Sequence, residues 1–375
     1  MPLKVTEDQV AWFRLRRSGL VTPFATAELA CVGIAGVQAQ ILPAAGLALW
    51  NRTSGFTHAE LERALYRDRT LIRLWGQRHT LHLYPSREWP LVFGALAQRE
   101  TWFQRQLVQR GADPAVHRRI VRRIEKKLRE RGTMTRDDVR AFDPSLDAEY
   151  VSSWGGVFSE LCRRGQACHA EPEGGDGRFA HRAHWLPDLA WDPPDAEHAN
   201  VELARRYLAA YGPASVRDFG YWRGARVGDA ARWFAALETE QVIDPSSSDA
   251  RFVLSEDVEF LRDQPPARAD WPVRLLSRFE PMLLAHRDKT WIVDAKHYPR
   301  VWRPAGHIEG IALVAGRAAA TWRYARNDRG VDVAIAPFGR LSAAVTRVLA
   351  TRATGVAEYF GRPLGALDFR RTHGA

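Results

Sequence analysis

Two glutamines, Gln38 and Gln40, flank a single alanine near the start of the chain. A primary amide offers one acceptor oxygen and two donor hydrogens. It titrates nowhere in the useful range, so neither residue is a general acid or base. A pair of them can hold a water and direct an oxygen at a developing cation, which is catalysis by positioning and fixed dipoles. Such a pair suits a reaction whose leaving group departs without being protonated. Cooperation needs both side chains on one side of the backbone. Residues i and i+2 share a face in an extended segment, whereas on a helix they stand about 200° apart. Leu42 precedes Pro43 and is itself biased towards extended backbone. Gln38-Ala39-Gln40 is therefore expected in a strand or loop, not a helix. As an isolated tripeptide it would pass for ordinary polar surface.

A second constellation lies some forty residues on. Arg78, Thr80, His82 and Tyr84 alternate with His79, Leu81 and Leu83. A strand would put the four polar groups on one face. That face would line a site beside the glutamines, with His82 its main supporting residue. A strand with one solvated side explains the pattern equally well, and both readings stay open. Metal chemistry finds no support, because Cys162, Cys168 and His169 lack a partner at zinc-ligand spacing and His181 and His184 do not complete a set. No phosphate-cradling loop and no nucleophile elbow occur, so no cofactor is expected.

The elements that must position these residues repeat along the chain. A Ser or Thr followed three residues later by an acid, the signature of a capped helix start, occurs at Thr57/Glu60, Thr135/Asp138 and Ser215/Asp218, 78 and 80 residues apart. Each is expected to lead into a second helical stretch (70–76, 157–164 and 230–237) and then a hairpin. Expected turns include Glu171-Pro172-Glu173-Gly174-Gly175-Asp176-Gly177 and Pro245-Ser246-Ser247-Ser248-Asp249. Helix, turn, helix, hairpin is a winged helix. After Pro265-Pro266, strand-like runs at 291–293, 311–314, 318–324 and 331–335 read as a small antiparallel sheet or barrel, closed by a helix over 341–359. The expected class is α+β. Its segments are a winged helix over 1–95, a second over 96–195, a third over 196–262, and an antiparallel β domain with a closing helix over 268–375.

Composition narrows the partners. The chain has 375 residues and a formal charge of +10, and 49 of its 54 cations are arginines. Arginine brings bidentate phosphate recognition. A hydrophobic share of 46% excludes wholesale disorder. No apolar run reaches the ~20 residues of a membrane span, so no membrane partner is expected. No signal peptide is visible and three cysteines make no disulfide framework, which fits a cytoplasmic protein.

Several stretches together resemble one family. They are Gly36-Val37-Gln38-Ala39-Gln40, Leu47-Ala48-Leu49-Trp50, Arg73-Leu74-Trp75, Arg78-His79-Thr80-Leu81-His82, the run Ala204-Arg205-Arg206-Tyr207-Leu208-Ala209-Ala210-Tyr211-Gly212-Pro213, Phe279-Glu280-Pro281-Met282-Leu283-Leu284, His286-Arg287-Asp288-Lys289, Gly316-Arg317 and Thr321-Trp322-Arg323. Their order, over roughly residues 10 to 360, is similar to that of the winged-helix DNA glycosylases typified by AlkZ, the azinomycin-resistance enzyme, and YcaQ. Two positions depart from the family: His79 stands where a glycine is common, and Glu280 where an aspartate is commoner.

The resemblance implies that Gln38 and Gln40 are catalytic, since AlkZ-like members carry Gln-apolar-Gln where YcaQ-like members end in Asp. It implies duplex DNA bearing alkylated guanine as the partner, with bulky or crosslinking adducts as substrate and self-resistance repair as the role. Alkylation at N7 makes guanine a cationic leaving group, which is what two neutral amides require. A monomeric, monofunctional enzyme is expected, associated with the nucleoid when bound. A lyase would need an amine, and Lys4 and Lys296 are the candidates left open. Candidate DNA contacts are Arg118, Arg122 and Lys126 in a basic helix, although Glu125 and Glu130 interleave there as on a solvated face. Arg317 and Arg323, with Arg326, would act from hairpins of the sheet. The competing reading is a non-enzymatic winged-helix DNA-binding protein or transcriptional regulator.

Overall fold

Three Ser/Thr residues start helices by the same reciprocal exchange. Thr57 Oγ1 accepts from Glu60 N (3.2 Å) while Glu60 accepts from Thr57 N (2.7 Å). Thr135 and Asp138 repeat the pair at 3.1 and 2.8 Å. Ser215 and Asp218 do so at 3.1 Å both ways. Each box satisfies two backbone donors that a helix start leaves orphaned. The sequence signature therefore marks real helix starts in all three places.

The elements beyond the three caps are not alike. After Thr135 come helices Arg136–Phe142 and Gly156–Arg163, then a hairpin of Ala167–His169 and Arg178–His181. After Ser215 come helices Val216–Arg223 and Val227–Ala235, then a hairpin of Thr239–Ile243 and Arg251–Leu254. Both show the expected helix–helix–hairpin order. After Thr57 the second helical stretch expected over 70–76 is instead a strand, Leu71–Trp75, paired antiparallel with Leu81–Pro85. Leu71, Ile72 and Leu74 are buried, and this apolar and aromatic run packs better on a pleated surface than on a helix.

The computed structural model describes residues 2–96, 102–152, 155–173, 177–243 and 249–369. The expected turn residues Gly174-Gly175-Asp176 and Pro245-Ser246-Ser247-Ser248 lie outside them. The chain forms two compact units, Met1–Leu61 with Val201–Ala375, and Glu62–Asn200. The repeats are units of sequence, and the first segment, 1–95, is divided between these units at Leu61.

In the first unit a five-stranded sheet runs in the order Arg274–Leu276, Gly310–Val314, Arg317–Asn327, Gly330–Pro337, Leu364–Phe369. The first four strands are antiparallel, as expected. The fifth pairs parallel with the fourth. A parallel neighbour requires a crossover. The helix Ala343–Tyr359 supplies it, so it bridges two strands and does not close the chain. The run Trp291-Ile292-Val293, expected as a strand, is a turn in which Ile292 N and Val293 N both donate to Lys289 O. Ile292 and Val293 are fully buried, so their apolar character reflects burial and not sheet pairing.

Two devices lock the helix Leu42–Trp50 in place. Gly46 lies so close to the Ala343–Tyr359 helix that a Cβ there would collide with the Tyr359 hydroxyl. Just beyond the helix, Arg52 pairs with Glu280, both with fully buried side chains. Arg52 also donates to Ser18 O (2.8 Å) and Ala48 O (2.9 Å). Removing one partner would strand a buried charge at a cost of about 3–5 kcal/mol. In the second unit the core is built on Val121, Ile124 and Leu128 of helix Pro114–Arg131, with Phe158 stacked on Phe179 at 4.0 Å.

Candidate functional site

The backbone before the glutamines is sharply bent. Helix Ala27–Gly33 ends at Ile34, and the next two residues, Ala35 (φ 53°) and Gly36 (φ 95°), are left-handed. Gly36 N closes the helix end on Cys31 O at 2.7 Å. Left-handed backbone is free for glycine but costs a residue with a Cβ about 1–2 kcal/mol. The Tyr211 hydroxyl, buried, holds this bend by donating to Ile34 O at 2.8 Å. The bend delivers a two-residue strand, Val37–Gln38, with Gln38 only 7% exposed. Ala39 is buried and Gln40 is exposed. The pair stands on non-helical backbone, as the spacing demands.

One detail differs from the sequence-based expectation. Leu42, which precedes Pro43, is the first residue of helix Leu42–Trp50, and the extended residue is Ile41 (φ −113°, ψ 101°). A proline fits the first turn of a helix because its missing N–H would find no partner there. No side chain caps this helix. Ile41 and Ala44, in its first turn, line a cleft of about 230 Å³ with Ser277, Arg278, Gly310, Trp322, Arg323, Tyr324 and Arg326. Ser277 ties the cleft to the helix by donating to Ala44 O (2.7 Å). Of this lining, sequence marks only Arg323 and Arg326 as candidates for chemistry. Arg278 lies next to a family stretch, but without the fold nothing distinguishes it.

In the second unit, Arg78, Thr80 and His82 do not share a strand face. Arg78 and His79 form the hairpin tip with left-handed φ of 52° and 62°, and Thr80 only leads into the strand Leu81–Pro85. His82 and Tyr84 do lie on one face, with rings stacked 5.9 Å apart. Both are buried, so this side of the strand is not solvated. Gly76 is required beneath them, since a Cβ there would collide with the Tyr84 hydroxyl. Tyr84 donates to the Gln77 side chain. His82 Nδ1 donates to Thr80 O (3.0 Å), which fixes the neutral tautomer with Nε2 as acceptor. Burial first, then the nearby Arg78 charge, pulls its pKa down to about 3. His82 is thus a neutral group near pH 7 and carries no charge to a substrate.

His79, which departs from the family glycine, keeps the backbone shape a glycine would supply. Its left-handed strain is offset by a hydrogen bond between its Nδ1 and Arg163 Nη2 (2.6 Å).

The basic helix Pro114–Arg131 turns Val121, Ile124 and Leu128 inward and exposes Arg118, Arg122 and Lys126 at i, i+4 and i+8. Arg118 and Arg122 have no carboxylate partner among the described residues. Lys126 reaches Glu130 at 4.0 Å with its side chain 81% exposed. Arg123 instead pairs with Asp143 (3.1 Å). In the sheet, Arg317 is bound to Asp294, Thr290 O and Trp291 O. Arg323 makes a two-point pair with Glu309. The guanidinium charges of these two are therefore matched within the fold. No group of three or more metal-ligating side chains comes together among the described residues. No described helix is long and apolar enough to cross a membrane.

Comparison with known proteins agrees with this architecture. The interstrand DNA cross-link repair glycosylase of Streptomyces sahachiroi is 26% identical over 349 residues, which cover 90% of this chain and 91% of that protein. The solved structure of the Streptomyces sahachiroi DNA glycosylase AlkZ superposes with a TM-score of 0.82 at 24% identity, covering 99% of this chain and 100% of that one, and shows a shared fold. The model of the family described as DNA glycosylase AlkZ-like matches residues 33–359, and the chain belongs to that family.

Proposed function

We propose that the protein is a monofunctional glycosylase that hydrolyses the N-glycosidic bond of guanine made cationic by N7 alkylation, with bulky or crosslinking adducts as its substrates. The observation that carries this reading is the presentation of Gln38 and Gln40 one residue apart on bent, non-helical backbone. Neither can exchange a proton near neutral pH, so the pair fits a bond whose leaving group is already activated. Water adds to C1′ as the bond to N9 breaks. The bonding electrons neutralise the alkylated base, and the water's extra proton passes to solvent. The amide oxygens hold that water and face the oxocarbenium character developing on the sugar. Uncharged guanine is a poor leaving group, and neutral amides would leave it intact. Selectivity then comes from the weakness of the catalyst.

The name of the Streptomyces sahachiroi relative, an interstrand cross-link repair glycosylase, supports bulky adducts as substrate class. The protein would act as a monomer on duplex DNA. The test is base release from duplexes carrying 7-methylguanine, a bulky N7 adduct or unmodified guanine, with borohydride present in a parallel reaction. Release from both alkylated duplexes, none from the unmodified one, and no trapped protein–DNA adduct are expected. A trapped adduct would overturn the monofunctional reading, and release of unmodified guanine would overturn the leaving-group argument.

A further inference from the structure

The cleft lined by Ile41 and Ala44 comes directly after Gln40 in the chain, and its positive charge is not balanced by carboxylates among the described residues. Of its three arginines, Arg323 is neutralised by Glu309. Arg278 has no carboxylate among the described residues. Its Nη2 donates to His307 Nδ1 at 3.1 Å, and its buried Nε has no hydrogen-bond partner. Arg326 likewise has no carboxylate among the described residues and rests on the Phe360 ring at 5.0 Å. Tyr324 stands between Trp322 and Phe360, with ring centroids 6.0 and 5.1 Å away. Burial raises its pKa more than the charges of Arg326 and Arg278 lower it, so that hydroxyl keeps its proton. The uncapped first turn of helix Leu42–Trp50 completes the wall with the positive end of its dipole.

We propose that this cleft is a phosphodiester clamp, in which Arg278, Arg326 and the Tyr324 hydroxyl grip a backbone phosphate of the damaged strand next to the nucleotide on which Gln38 and Gln40 act. Two guanidiniums with no carboxylate partner among the described residues and a phenolic donor, beside the positive end of a helix dipole, make a donor-rich wall that calls for an anion. Within a DNA glycosylase the anion at hand is the sugar–phosphate backbone. The sugar C1′ lies within one nucleotide of its flanking phosphates, so a group that grips one of them belongs beside the residues acting on C1′. The clamp fixes the sugar against the glutamines without reading base identity.

The clamp rests on the proposed reaction only for the place of the damaged nucleotide, and its test does not need catalysis. The probe is a duplex carrying a tetrahydrofuran abasic analogue, with affinity measured against salt concentration for wild type, Arg278→Ala, Arg326→Ala and the double variant. Each lost phosphate contact lowers the slope of log affinity against log salt by about 0.9. Because both guanidiniums serve one phosphate, the double variant should lose about one such step and bind about tenfold more weakly. Arg278→Lys/Arg326→Lys, which keeps the charges, should recover most of the slope. Unchanged slope and affinity in the double alanine variant would overturn the proposal. So would a loss confined to duplexes with a bulky aromatic adduct at an unchanged salt slope, because the cleft would then hold the adduct. A protein that binds through the clamp yet releases no base would contradict the proposed reaction and sustain the clamp.

Discussion

In the proposed reaction, the inability of glutamine to titrate is part of the design. The fold also removes from proton transfer the one histidine among the candidate site residues. His82 is buried, bound through Nδ1 to a carbonyl, and lowered to about 3, so it carries no proton to give near neutrality. Linkage sets the sign of the effect on stability. An unfolded imidazole titrates near 6.5 and the folded one near 3, so between these values the unfolded chain binds more protons and stability falls as pH drops. Base release from 7-methylguanine duplex should therefore be flat from about pH 5 to pH 8 in single-turnover assays while the protein stays folded. Any decline at lower pH should track unfolding measured by circular dichroism. A bell-shaped profile in folded protein would reveal a titrating catalytic group. His79 illustrates the same scale differently: a residue that departs from a glycine position keeps the left-handed backbone, held by Arg163.

At the scale of elements, the bend over residues 34–36 decides where Gln38 points. Ala35 holds left-handed backbone at a cost of about 1–2 kcal/mol, and the Tyr211–Ile34 hydrogen bond is of comparable size. On the proposed reading, Tyr211 is a positioning residue acting through the bend. Tyr211→Phe should lower single-turnover excision about tenfold, which is about 1.4 kcal/mol, with affinity for abasic duplex unchanged. Ala35→Gly in the same chain should restore much of the rate, because glycine adopts the bend without help. If excision and affinity fell together without rescue, Tyr211 would be only a packing residue. The helix caps are legible in the sequence because a capping box is local, needing four consecutive residues. The 70–76 stretch reads as helix because its apolar run serves either period until Leu81–Pro85 pairs with it. Arg78 and Thr80 leave their expected face for a related reason. Strict alternation predicts a face, but a hairpin tip at Arg78 and His79 interrupts it. Trp291-Ile292-Val293 shows that an apolar triplet with two buried members does not imply a strand.

At the scale of the whole molecule, a +10 chain carries its charge in two kinds of place. Arg118, Arg122 and Lys126 offer an exposed row in one unit, while in the other Arg278 and Arg326 line a cleft whose wall includes Ile41, the residue after Gln40. Family membership and the α+β class are legible because order along the chain carries them. Which arginines are matched inside the fold is not, because Arg323 meets Glu309 and Arg317 meets Asp294 across strands and turns that only folding brings together. On the proposed reading, the molecule separates holding DNA, the work of cations, from cutting the glycosidic bond, the work of two uncharged amides. That separation is the central claim, and one paired measurement tests it directly. Single-turnover release of 7-methylguanine and affinity for abasic duplex are measured for wild type, Gln38→Ala and Gln40→Ala. The account predicts that each substitution lowers release by about a hundredfold or more, in the range of losing a positioned catalytic dipole, while affinity stays within about twofold of wild type. Full release by both variants, or a loss of release matched by an equal loss of affinity, would contradict it.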